Sequence, residues 1–287
     1  MRFDQLRPRA LWPPLSGPGY GPLTELLLIL TLVTGLVDAV SILSLGRVFV
    51  ANMTGNIVFA GFAIVGAPGF SLSASLFALA GFLIGAGAGG AMTTRVGHDR
   101  AIHLRAAAVT ELGLVAAALV IAAASGDAAA SHGTLGITAA AGGASAPFTA
   151  GITDALAFLL AIAMGIQNSM ARKLAVPDLT TTVLTMTITG IGADSSGGQR
   201  GQVTRIRRLL VVATMLAGGV LGAWLVLNVS AVSALALATG LLAITSGSAA
   251  RIALRPAPWR PATPPEMPAS APGSPTVTGG APWTARG

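Results

Sequence analysis

Apolar runs separated by short polar breaks dominate the chain. Eight stand out, with limits near Leu23–Leu45, Val48–Gly66, Leu72–Thr94, Leu104–Ser125, Ile152–Ala171, Leu179–Ile191, Leu209–Leu227 and Ala231–Ala249. Wound as a helix, about twenty such residues match the ~30 Å hydrocarbon core of a bilayer. The pattern predicts an all-α polytopic membrane protein. The sixth run is only thirteen residues long, and the second is interrupted by polar side chains. Between runs four and five lies "GDAAASHGTLGITAAAGGASAPFTAG", and beyond Arg255 come nine prolines without periodicity. Neither stretch has the composition to build a core. The expected organisation is a tail over 1–22, a membrane unit over 23–125, a low-complexity loop over 126–150, a second membrane unit over 151–250 and a disordered tail over 251–287.

The two units echo one another. "TGLVDAVSI" (34–42) is matched by "MGIQNSMAR" (164–172), which sets Gly35 against Gly165 and Asp38 against Asn168. "MTGNIVFAG" (53–61) then aligns with "LTMTITGIG" (184–192). GxxxG pairs follow in both units, at Gly81/Gly85 and at Gly218/Gly222. Three signals in the same order predict a duplicated four-segment unit. The GxxxG pairs predict close helix crossings.

Charge bears on how many runs cross. Lys and Arg gather on the cytoplasmic side of a membrane. If all eight runs cross, the 17 basic residues divide 11 against 6. If runs two and six instead enter and leave on one side, they divide 16 against 1, with Arg47 alone. If only run two crosses as well, they divide 14 against 3. Six spanning helices with two polar, re-entrant segments are therefore expected, with eight spans as the alternative. Three crossings per unit would make the repeats inverted, and both termini would be cytoplasmic, in the plasma membrane (the bacterial inner membrane).

Composition agrees. Hydrophobic residues make up 53% of the 287 and charged ones 9%, against about 25% charged in soluble domains. The formal charge of +7 lies in short clusters between apolar runs, so nucleic acid is not an expected partner. There is no cysteine, which excludes disulfides, thiol catalysis and Cys-based metal sites. No nucleophile–base pair or phosphate loop is visible, so no enzyme, cofactor or metal is expected. His98, His103 and His132 are expected in loops.

Polar residues inside the apolar runs are the candidate chemistry. Asp38 lies midway along the first run, where a charge costs at least ~2.5 kcal/mol and needs a partner, a proton or water. In "FVANMTGNIVFAG" (49–61), Asn52, Thr54 and Asn56 surround Gly55, a combination suited to broken backbone lining a wet site. Gln167 and Asn168 hold the corresponding place in the second unit. Thr185 and Thr187, in "TTTVLTMT", are secondary candidates. So is Glu111, which is expected to pair with Arg105, to snorkel or to line a pathway. Asp154 is expected to favour a helix start. For each of these, hydrogen bonding to a neighbouring helix is the alternative.

"TGLVDAVSILSLGRVFVANMTGNIVFAGFAI" resembles the YoaK family, bacterial multi-pass membrane proteins that carry a domain of unknown function. The resemblance rests on Gly35, Asp38 and Ala39, then Phe49, Thr54, Gly55 and Asn56, and in the second unit on Gly165, Gln167 and Asn168. It covers roughly residues 23–250. Where the family tends to keep Thr–Gly in the second unit, this chain has Thr185–Met186. The resemblance implies no activity. From the residues alone, the expected function is transport of an unknown small solute or ion across the lipid bilayer, coupled to protons or cations through Asp38. The alternative is a non-transporting membrane scaffold or assembly partner. A homo-oligomer is left open.

Overall fold

A computed structural model of the chain describes residues 22–96, 99–125, 148–174, 184–193 and 199–254. Nearly all of the expected tails and low-complexity loop lie outside the described residues. Among the described residues eight helices follow one another: α1 (Leu23–Ser44), α2 (Met53–Ile64), α3 (Leu72–Val96), α4 (Arg100–Ala124), α5 (Ala150–Leu174), α6 (Leu184–Ala193), α7 (Gln199–Asn228) and α8 (Ala231–Ala253). Polar caps set two of the starts. Asp99 accepts from the backbone N–H groups of Ala101 and Ile102, at 2.9 and 3.3 Å. The Ser230 hydroxyl accepts from Ser233 N–H at 3.1 Å. Each satisfies donors that a first turn leaves unpaired.

Six helices, α1, α3, α4, α5, α7 and α8, are long and apolar enough to cross a membrane. With twelve residues, α2 reaches about 18 Å; with ten, α6 reaches about 15 Å. Neither spans ~30 Å of hydrocarbon. Helices α1, α5, α4 and α8 form a closed ring in which each touches the next. Outside it, α3 lies along α5 and α7 along α1, with α2 on α3 and α6 on α7. The α7 exterior shows Leu216, Val220 and Trp224, a surface suited to lipid rather than water.

Glycines bring the flanking helices into backbone contact. A Cβ at Gly35 would stand 2.6 Å from the Met215 carbonyl oxygen and 2.7 Å from the Gly219 nitrogen. A Cβ at Gly165 would meet Phe82 O, Ala86 N and Gly85 C in the same way. Gly218 lies against Leu32 and Gly222 against Leu36 and Ala39, so α1 and α7 run parallel. Gly81 lies against Phe158, Gly85 against Ile162, and Gly89 against Ile166 and Ser169, so α3 and α5 also run parallel. This corrects the expected register of the small-residue pairs by one helical turn. Gly85 and Gly89, rather than Gly81 and Gly85, make the contacts that Gly218 and Gly222 make. "GAGAGG" offers several GxxxG frames, and only the carbonyls it meets select one.

The ends of the α2 segment meet. The Arg47 guanidinium packs on Gly69 and lies 5.6 Å from the Phe70 ring centroid. The end of α1 and the start of α3 therefore share one face of the molecule. The start of α5 joins them through Ser73 Oγ, which donates to Asp154 Oδ1 at 3.1 Å. Following the long helices from there, every described Lys and Arg except Arg47 falls at the opposite, basic face. The geometry agrees with the six-span division of charge.

Candidate functional site

Helix α1 carries a polar stripe through its buried interior. Thr31 and Thr34 donate to the carbonyls four residues back, each at 2.9 Å, and Ser41 Oγ donates to Asp38 O at 3.0 Å. These hydroxyls are satisfied within their own helix. Asp38 differs. It is 8% exposed, and the backbone N–H groups of Val50 and Ala51 are directed at its carboxyl from the α1–α2 connection. Its Oδ1 has no hydrogen-bond partner.

Asn56 holds that connection in place. Fully buried, it accepts from Phe49 N–H at 2.8 Å and donates Nδ2–H to Phe49 O at 2.5 Å. One carboxamide thus pairs both backbone groups of one residue, as a β-ladder neighbour would. Gly55 leaves room for the Phe49 ring, which a Cβ there would approach within 2.5 Å. The ring in turn stacks on Phe59, with centroids 5.4 Å apart and planes 14° apart. Asn52 and Thr54 are exposed. The Thr–Gly–Asn stretch thus divides its labour: Gly55 and Asn56 brace Phe49, and the braced loop presents Val50 and Ala51 to Asp38.

From α5, Gln167 reaches across to α1. Its Nε2 donates to Thr34 Oγ1 at 2.8 Å, one turn from Asp38. Asn168 turns back within its helix, donating to Met164 O at 2.9 Å. Asp38, the 50–51 backbone, Thr34 and Gln167 therefore share the α1 interior, whereas the Asn168 amide is used locally. Thr187 is buried on α6; the Thr185 side chain lies outside what is described, as do His98 and His132. Among the described residues, no three His, Asp or Glu side chains are grouped to hold a metal ion.

Two expectations on α4 change. His103 is not in a loop: it sits in the first turn of α4, 6% exposed. Asp99 starts the helix ahead of it, and that cap is a signal the sequence carries. Glu111 neither pairs with Arg105 nor snorkels. It is fully buried, and both carboxyl oxygens lack a hydrogen-bond partner. Residues six apart lie on different helix faces, so Arg105 cannot reach it.

A chain whose described residues form only helices, six of them apolar and of spanning length, with polar groups buried between them and apolar side chains outside, is a polytopic membrane protein. It belongs to the family described as "Protein of unknown function (DUF1275)", whose model matches residues 26–248. It is also similar to the UPF0700 transmembrane protein YoaK of Bacillus subtilis (strain 168), at 35% identity over 172 residues, covering 60% of this chain and 67% of that protein. The likeness read from the Gly35–Asp38 and Thr54–Asn56 motifs is thereby borne out. No solved structure matches the chain.

Proposed function

We propose that the protein is a small-solute or ion transporter of the plasma membrane, coupled to protons or cations through Asp38. The observation that carries this reading is the Asp38 carboxyl. It is buried within a spanning helix, held by two backbone N–H groups of a loop, and has one oxygen left for a proton or cation. An isolated ionised group in such a place is costly, and intramembrane acids mark ion and proton pathways. The basic face is the cytoplasmic one in this reading, because Lys and Arg are retained there.

An inverted duplication belongs to the same proposal. Exchanging α1–α4 with α5–α8 maps every pair of touching helices onto a touching pair, with α1–α5 and α4–α8 mapping onto themselves. Leu32 O at Gly218 corresponds to Ile162 O at Gly85, and Ala39 at Gly222 to Ser169 at Gly89. Three long helices per unit then point the units in opposite senses, a design known from secondary transporters. The scaffold reading draws support from Asn56 and Gln167, whose hydrogen bonds stay within the protein.

Purified protein in liposomes, with an internal pH dye and an imposed potassium potential, distinguishes the two. Transport predicts proton or cation flux that Asp38→Asn abolishes while leaving monodisperse protein. Equal flux in the variant removes the role of Asp38. Absence of flux above empty liposomes for a range of monovalent cations and protons favours the scaffold.

A further inference from the structure

We propose that Glu111 is a second proton-binding site, separate from Asp38, loaded from the basic face through His103. His103, Ala107 and Glu111 recur every fourth residue, one buried stripe of α4, at 6, 3 and 0% exposure. Eight residues span about 12 Å along a helix, so His103 lies at the basic end and Glu111 in the middle. Ala107 is the residue between them on that stripe. Lys173, at the end of α5, faces His103.

Helix α4 packs against α3, α5 and α8 and, among the described residues, does not touch α1. Glu111 therefore lies outside the Asp38 site. The charged groups of its neighbours are Arg95 on α3, Asp154, Arg172 and Lys173 on α5, and Arg251 on α8, all near helix ends. None of them hydrogen-bonds to the Glu111 carboxyl.

A carboxyl that only joined helices would bond to something. This one bonds to nothing, and apart from His103 the other buried residues of α4 are all alanine, leucine or valine. An apolar side chain would pack there at lower cost. What a carboxyl offers and a leucine lacks is an exchangeable proton. In the proposed step, an imidazolium at His103 gives its proton to a water admitted beside Ala107. That water passes a proton to the Glu111 carboxylate, leaving neutral imidazole and a neutral acid. The His103 ring is then reprotonated from water at the basic face.

The test needs no transport assay, so it stands or falls apart from the transporter reading. Infrared difference spectra of the full chain in liposomes, taken between acidic and alkaline pH, report the carbonyl band of a protonated carboxyl. Labelling with 13C-glutamate marks Glu25, Glu111 and Glu266 alone. We expect a titrating glutamic acid band that Glu111→Gln removes, Glu111→Asp removes from the labelled set, and Asp38→Asn leaves in place. Its hydrogen–deuterium exchange should slow about a hundredfold in His103→Gln, the lower range for a positioned proton-transfer group. A band unchanged by pH or by Glu111→Gln overturns the site. Unchanged exchange in His103→Gln overturns the route.

Discussion

Replacing Asn56 with alanine should uncover the Asp38 site without touching Asp38. The substitution removes both hydrogen bonds to Phe49, at 2.8 and 2.5 Å. Phe49 N–H and C=O then lose their partner. A fully buried orphan costs ~1–3 kcal/mol. Phe49 is only half-buried, so the lower end applies to each, giving about 2 kcal/mol in all. At 1.4 kcal/mol per factor of ten, opening of the Val48–Asn52 loop should rise roughly thirtyfold. Ala51 is 7% exposed and the chain has no native cysteine, so Ala51→Cys is a clean probe. Its labelling by a small polar thiol reagent should be slow in the parent and roughly thirtyfold faster in the Asn56→Ala background. Asn56→Leu keeps most of the volume without the hydrogen bonds and should behave like alanine. Equal labelling rates in all three backgrounds would refute the brace, and with it the claim that Asn56 acts on Asp38 through the loop.

Other outcomes follow from the packing. Gly35→Ala and Gly165→Ala push a methyl group into opposing backbone and should each destabilise by ~1–3 kcal/mol in detergent unfolding, whereas Gly219→Ala, which meets nothing within 4 Å, should be neutral. Asn52→Cys and Ala67→Cys should both react with a membrane-impermeant thiol reagent from the same side of intact cells; reaction from opposite sides would mean that the α2 segment crosses. Gln167→Leu deletes the interhelical bond to Thr34 and should cost about 0.6–1.7 kcal/mol, read by the same unfolding assay.

The long helices were legible because twenty apolar residues have few other uses. That α2 does not span and that Arg47 stands apart were legible from the charge division; its length was not, since the apolar run over 48–66 is 19 residues and the helix within it only 12. The site was legible in part. An acid in an apolar run announces itself, and Asp38 is buried as its cost requires. What Asn56 does was not legible, because a carboxamide in such a run serves a ligand or a backbone equally well. Only the position of Phe49, seven residues earlier, decides. His103 was missed because its polar neighbours masked a helix start that Asp99 caps. Of the readings of Glu111, pairing with Arg105 fails because proximity in sequence is not proximity in space, and snorkelling fails because the carboxyl is fully buried.

The parallel glycine contacts also have a mechanical consequence. Where no side chain lies between two helices, neither can roll about its axis or slip by a turn without driving carbonyl into carbonyl. The couples α1/α7 and α3/α5 therefore each behave as a stiff beam. The direct joint between the beams is slender, and Gln167 is at its centre, donating to Thr34 Oγ1 at 2.8 Å and to Leu30 O at 3.5 Å. Any movement of one half against the other is a rocking about that pin, with α4 and α8 yielding at the sides. Asp38 sits one turn from the fulcrum, so it shifts little in position while the loop above it swings, and its exposure changes far more than its location.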